Sequence, residues 1–234
     1  MNTPLAYNYV ATALMLAQIN FIGPKLGLPV HFPLSDEDLV RDIVLSPSII
    51  NSKNPGAPNF GGRLDCDRYS FCFADDGRLC FVSRLHPWGH MQIPERNAAL
   101  AEQRSIIDNQ KAYEIATNWL ITMSVNVKEL EKTSPVTVGQ QFQWSYTNGD
   151  TKMMLPIFDI NWGDPKRPKV DVEIDGRTKA LVWIRLEDDS VSSLPCISIK
   201  NLSELYQIGD DEFLKYTKEQ KQALMTRFAG IVER

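Results

Sequence analysis

The chain has 234 residues, 43% hydrophobic and 23% charged, with a formal net charge of −4. This is soluble globular composition, enough for one large domain or two small ones with buried cores. The mild acidity, with no basic stripe, excludes nucleic acid as an expected partner, and four Cys are too few for a disulfide scaffold at this length.

Thr3-Pro4 reads as a helix start, an N-cap hydroxyl followed by a proline whose missing N–H costs nothing there. The helix runs to about Ile22 and is apolar nearly all round, so it expects cover on most sides. Leu5 to Ile22 is long enough to raise a membrane question. However, Asn8, Thr12, Gln18 and Asn20 recur through it and Gly23-Pro24 ends it, so a buried core helix is predicted and no integral membrane segment. No Lys or Arg precedes Lys25, so no secretory signal is visible. A cytoplasmic protein and an exported mature form both fit.

Residues 23–35 hold five Gly and Pro and read as loop. Ser35 with Asp38 resembles a capping box, and Asp42 to Leu45 reads as a strand. Residues 46–62 carry six Pro and Gly, the longest irregular stretch. Leu64 to Leu85 reads as a hairpin. A two-residue Asp-Gly loop would pair Phe73 with Cys80 and Phe71 with Val82. A three-residue loop with Gly77 left-handed would pair Phe73 with Leu79 and Phe71 with Phe81, and would set Cys72 opposite Cys80. The second register is preferred because it puts large apolar side chains together. His86-Pro87-Trp88-Gly89-His90 reads as a turn, and Pro94 opens a short helix through about Gln103.

Asp108 is a good N-cap for the central helix, whose Ala112, Ala116, Trp119, Leu120 and Met123 share one face. Asn126 with Glu129 offers a capping box for a second helix. Gln140 to Tyr146 alternates and ends at Asn148-Gly149, a strong hairpin signal, and Met153 to Trp162 returns. Val170, Val172 and Ile174 then form one apolar face that Ala180, Val182 and Ile184 match. Asp171, Glu173, Trp183 and Arg185 share the opposite face. Short helices begin at Asn201 and at Thr217, the second with a capping box to Gln220 and with Leu224, Met225 and Phe228 inward.

An internal echo suggests a duplication. Val10-Ala11-Thr12 and Ile115-Ala116-Thr117 lie 115 − 10 = 105 residues apart. Asp76-Gly77-Arg78 precedes Asp175-Gly176-Arg177 by 99, and Arg84-Leu85 precedes Arg185-Leu186 by 101. The expected fold class is α+β: two similar units, each a helix on an antiparallel sheet, over residues 1–104 and 105–200, with a helical tail at 201–234 packing on the second.

A helix wrapped by three or four antiparallel strands resembles the cystatin-like and PepSY-like class of small domains. From about residue 60 onward, KAYEIATNWL, LPIFDINWG, VDVEIDG, RLEDDS and IGDDEFLKYT resemble an uncharacterised bacterial protein family that occurs as many paralogues. The resemblance implies a fold and carries over no catalytic residues. PepSY-like domains are often associated with binding or inhibiting peptidases.

The sequence names no catalytic residue, cofactor or metal: it holds no GxSxG, phosphate loop, GxGxxG or HExxH. His86 and His90 are four apart, but Pro87 and Gly89 forbid the helix that would align them as ligands. His31 reads as structural. Cys72 and Cys80 read as buried thiols or, in the favoured register, a cross-strand disulfide. Asp159, Asp171 and Glu173 read as a solvated sheet face. Three functions fit. The first is a non-catalytic module binding a peptide or protein through Trp88, Trp162 and Trp183, with His86 and His90 beside them. The second is a hydrolase-type enzyme with a site between the two units, using Asp159, Glu173 or His90. The third is a structural protein that self-associates through a sheet edge.

Overall fold

The computed structural model of the chain describes residues 3–45, 61–74, 77–86, 93–145, 151–164, 166–187, 194 and 196–232. Its first helical hydrogen bond runs from Asn8 N to Pro4 O, so Pro4 and not Thr3 holds the cap position. The first helix, α1, is Leu5–Ile22. Four strands follow: β1 Leu39–Val44, β2 Gly62–Cys66, β3 Tyr69–Phe73 and β4 Leu79–Arg84. Three helices come next: α2 Ile93–Ala101, α3 Asn109–Thr122 and α4 Val127–Thr133. Then come β5 Val136–Ser145, β6 Thr151–Asp164, β7 Arg167–Asp175 and β8 Ala180–Leu186. The C-terminal segment holds β9 Cys196–Ile199, α5 Leu202–Leu205, α6 Asp210–Phe213, α7 Lys218–Phe228 and β10 Ala229–Val232. The fold is α+β. Eight strands form one antiparallel sheet in the order β1-β2-β3-β4-β8-β7-β6-β5, and β9 pairs with β10.

The chain divides into two compact units. One comprises Met1–Ile22, His31–Cys80 and Leu194–Arg234. Its centre is α1, which by length and composition alone could cross a membrane and is 61% buried inside the protein. The polar residues of α1 explain its placement. The Gln18 side chain donates to Gly77 O and accepts from Leu79 N at 3.3 Å, which pins the helix to the β3–β4 turn. Asn20 makes a reciprocal pair with the Leu34 backbone at 2.9 and 2.7 Å.

The C-terminal segment covers α1: Tyr206 packs on Tyr7 and Phe213 on Tyr9, each at 5.7 Å between ring centres, and Asp210 accepts from Leu5 N at 2.9 Å. This corrects the expected tail position on residues 105–200. The reason is the all-round apolarity of α1, which leaves flanks for a later segment to bury.

The 64–85 segment is three strands rather than a hairpin. Asp67 and Arg68 turn the chain between β2 and β3, which pair Leu64 with Phe71 and Arg63 with Cys72. The turn expected after Phe73 is consistent with Ala74 N–H bonding Arg78 O at 2.9 Å and with Gly77 at φ +75°. In β4 it is Val82 that is fully buried, opposite Ile184, while Phe81 is half-buried. Cys66, Cys72 and Cys80 are free thiols; Cys80 Sγ–H points at Cys72 O, 3.4 Å away.

The second unit comprises Gly23–Val30 and Phe81–Ser193. Asp108 caps α3 by accepting from Lys111 N at 2.8 Å, and Asn126 caps α4 by accepting from Glu129 N at 3.2 Å. Buried Ala112, Ala116, Trp119 and Leu120 of α3 face the sheet side that carries Phe158, Ile160, Trp162, Val170, Val172 and Ile174. The opposite side is partly roofed by α2, where Leu100 and Ala101 pack on Leu155 and Ile157. The α2–α3 linker is held against the β7–β8 turn: Ile106 N–H bonds Gly176 O at 2.9 Å. A Cβ at Gly176 would lie 2.5 Å from Ser105 Oγ and 2.6 Å from the Phe158 ring, so this close passage requires glycine.

Candidate functional site

Strand alternation and register build the outer face of the second unit in two rows. Gly139, Asp159, Glu173 and Trp183 face one another across β5, β6, β7 and β8. Thr137, Asn161, Asp171 and Arg185 form the next row. The predicted grouping of Asp171, Glu173, Trp183 and Arg185 on one face is thus observed. The solvated-face reading is corrected. Asp171 and Glu173 are buried, and Glu173 is only 2% exposed: α2 stands over the Glu173 end of the sheet, and Trp183 and Arg185 lie against Asp171.

Gln141 ties the acids together. Its Nε2 donates to Asp159 Oδ1 at 2.8 Å and to Glu173 Oε2 at 3.0 Å. Burial pushes the Glu173 carboxyl up to about 8, with the Asp159 charge adding to it, so Glu173 is mostly protonated at neutral pH. Burial also raises Asp159, opposed by the hydrogen bonds from Gln141 and from Glu173. Both shifts run in the same direction, toward the protonated form, with burial as the leading cause. Burial raises Asp171 as well, against the attraction of Arg185 and a 3.2 Å hydrogen bond from Trp183 Nε1.

The row ends at the sheet edge with Gly139, where nothing lies within 4 Å of the position a Cβ would occupy. The result is a shallow depression of about 370 Å³ lined by Thr137, Gly139, Gln140, Gln141, Phe142, Asp159 and Asn161. It lies along β5, the last strand of the sheet, and among the described residues no strand pairs with the outer side of β5. Phe142 and its partner Met154 are 47% and 43% exposed. Between Gln140 and Phe142 the register slips by two residues of β6 around Pro156, which cannot donate to the ladder.

No protein-family model, curated protein or solved structure matches the chain.

The aromatic and histidine candidates scatter. Trp162 is a core residue, fully buried, its ring 6.2 Å from that of Tyr113 and its Nε1 donating to Glu131 Oε1 at 3.3 Å. It is corrected from surface anchor to core, because it shares the face of Ile160 and Phe158 under α3. Trp183 is half-buried in the acid row. Trp88 and His90 lie outside the described residues. His86 is exposed with φ 46°, and His31 is exposed. Among the described residues no three His, Cys, Asp or Glu side chains are grouped to hold a metal. Burial pushes the Cys72 thiol up, away from nucleophilic behaviour.

Sequence reasoning missed Gln141, Gly139 and the edge position of β5. Gln141 had a signal, since it lies in the alternating stretch 140–146. The edge is set by which strands pair, and that is not local information.

Proposed function

We propose that the chain is a non-catalytic binding module that takes up an extended peptide segment of a partner protein as an added strand along β5. The observation that carries this reading is the edge itself. β5 is 10 residues long, VTVGQQFQWS, without one charged residue or proline. Free edges usually carry charges or are kept short, because unpaired N–H and C=O groups recruit other chains. The other end of the sheet follows that rule: β1 is 6 residues long and carries Arg41 and Asp42. Main-chain pairing would supply affinity, and pockets for alternate side chains would supply selectivity. The depression over Gly139 is such a pocket. A residue of the added strand facing Gly139 would lie about 10 Å from β6, two strand spacings away. An extended Lys or Arg would cover most of that gap and approach Asp159.

The test uses labelled peptides of roughly ten residues, the strand length, alternating Val and Thr with one central Lys, Arg, Gln or Glu. Fluorescence anisotropy is expected to show saturable binding, with Lys or Arg preferred over Glu by about fivefold, the worth of one exposed ion pair. Thr137→Lys with Phe142→Lys, both at exposed positions, should abolish binding with little change in stability. Absence of binding by every peptide would sink the reading. A concentration-dependent dimer lost in the same double variant would replace it with self-association.

A hydrolase has one observation in its favour, the raised Glu173 carboxyl beside Asp159. Against it, Glu173 lies 2% exposed, and general acid–base work needs a group that can reach substrate.

The fold-level part of the proposal is a duplication of cystatin-like or PepSY-like units and the kinship with the paralogue family. Element order supports it. α1 is followed by β1 to β4 and α3 by β5 to β8, and the sheet order reads outward from β4 and β8 as mirror sequences.

A further inference from the structure

At the β6–β7 turn of the second unit a groove of about 460 Å³ is lined by Lys166, Arg167, Pro168, Lys169, Arg185 and Glu187. We infer that this groove binds a small polyanion, a molecule carrying two or more phosphate or carboxylate groups. The inference is independent of the peptide reading, because it uses no residue of β5.

The charge count carries it. Four cations line the groove against one acid, in a chain whose net charge is −4. Arg185 is held in place by two carboxylates: Nη2 lies 3.2 Å from Asp171 Oδ2 and Nε 3.1 Å from Glu187 Oε1. Its Nε is nevertheless buried and makes no hydrogen bond. The side chains of Lys166, Arg167 and Lys169 make no hydrogen bond or ion pair among the described residues. Three uncommitted cations therefore converge on a groove that an oriented guanidinium already lines.

Backbone hydrogen bonds flank the groove. Asp164 Oδ1 accepts from Lys166 N at 2.8 Å, Pro168 is buried, and Lys169 O accepts from Glu187 N at 2.9 Å. The volume falls within the range of small-molecule sites. The planar Arg forks match the paired oxygens of phosphate or carboxylate, and the lysines add point charges.

The experiment is an amide and Arg side-chain NMR titration of the full chain with sodium pyrophosphate and, separately, sodium citrate. Both are run at low ionic strength against sodium chloride of matched strength. We expect saturable shifts confined to residues 164–170 and 185–187, with submillimolar affinity that weakens about tenfold from low to physiological salt as the charges are screened. Tighter binding of pyrophosphate would mark the natural ligand as a phosphate compound, and tighter binding of citrate would mark it as a polycarboxylate. Lys166→Ala, Arg167→Ala and Lys169→Ala together should weaken binding at least about tenfold. Lys128→Ala with Lys215→Ala, which removes as exposed a pair elsewhere, should leave it unchanged. Shifts that are linear and spread over the surface, or a triple variant that binds like the parent, would overturn the assignment.

Discussion

Glu173→Gln is expected to leave stability nearly unchanged at pH 5 and to raise it by roughly 3–5 kcal/mol near pH 8.5. The direction follows from the raised carboxyl. Glu173 titrates at about 8 in the fold, against an ordinary value of 4.5. Below 4.5 both folded and unfolded chains hold the proton. Between 4.5 and 8 the folded chain keeps a proton that the unfolded chain has lost. Stability therefore falls as pH rises through that window, at up to about 1.4 kcal/mol per pH unit, and levels off above it. Glutamine is neutral at every pH and of the same shape. Its amide oxygen can accept from Gln141, and its amide NH₂ can donate to Asp159 as the protonated carboxyl does. Asp159 from β6 and Asp171 from β7 oppose the charged form of Glu173, while the Gln141 hydrogen bond from β5 and the Arg96 charge from α2 favour it and are outweighed by burial. Urea unfolding of both proteins at pH 5, 7 and 8.5 reads the difference directly. Parallel curves would mean that Glu173 is ionised in the fold and that burial does not raise its carboxyl.

This acid pair also shows what the sequence held and what it did not. Period-two alternation placed Asp171, Glu173, Trp183 and Arg185 on one face, because side-chain direction in a strand is fixed by the backbone. Whether that face met water depended on α2, and the contact of Leu100 with Leu155 and Ile157 spans more than fifty residues. The helix starts at Asp108 and Thr217 were legible because a cap is a local bond, such as the 3.3 Å hydrogen bond from Gln220 N to Thr217 Oγ1. Asn201 was read by the same rule and makes no side-chain cap; its φ of 49° places it in a left-handed turn instead. The tail was misplaced for the reason that hid the β5 edge: Tyr7 meets Tyr206 across the length of the chain, and no local pattern announces such a pair.

Trp162→Ala should cost about 3–5 kcal/mol, the range for emptying a large aromatic site in a core that collapses only partly. Trp183→Ala should cost about 1 kcal/mol, the worth of one modest hydrogen bond and a half-exposed ring. The two tryptophans sit on opposite faces of one sheet, and the contrast tests that placement. Trp162 is fully buried between neighbours Val136 and Val170 on the α3 side. Its loss would open a cavity beside Tyr113 and leave Glu131, which accepts from both Trp162 Nε1 at 3.3 Å and Tyr113 OH at 2.5 Å, with one donor fewer. Trp162→Phe would keep the packing and lose the N–H, so its cost should fall well below that of alanine. Trp183 gives up only its bond to Asp171 Oδ2, which Arg185 also serves. Thermal and denaturant unfolding with unchanged denaturant slopes would measure both. If Trp162→Ala cost no more than Trp183→Ala, Trp162 would be a surface residue after all, and the facing of β6 toward α3 would have to be reversed.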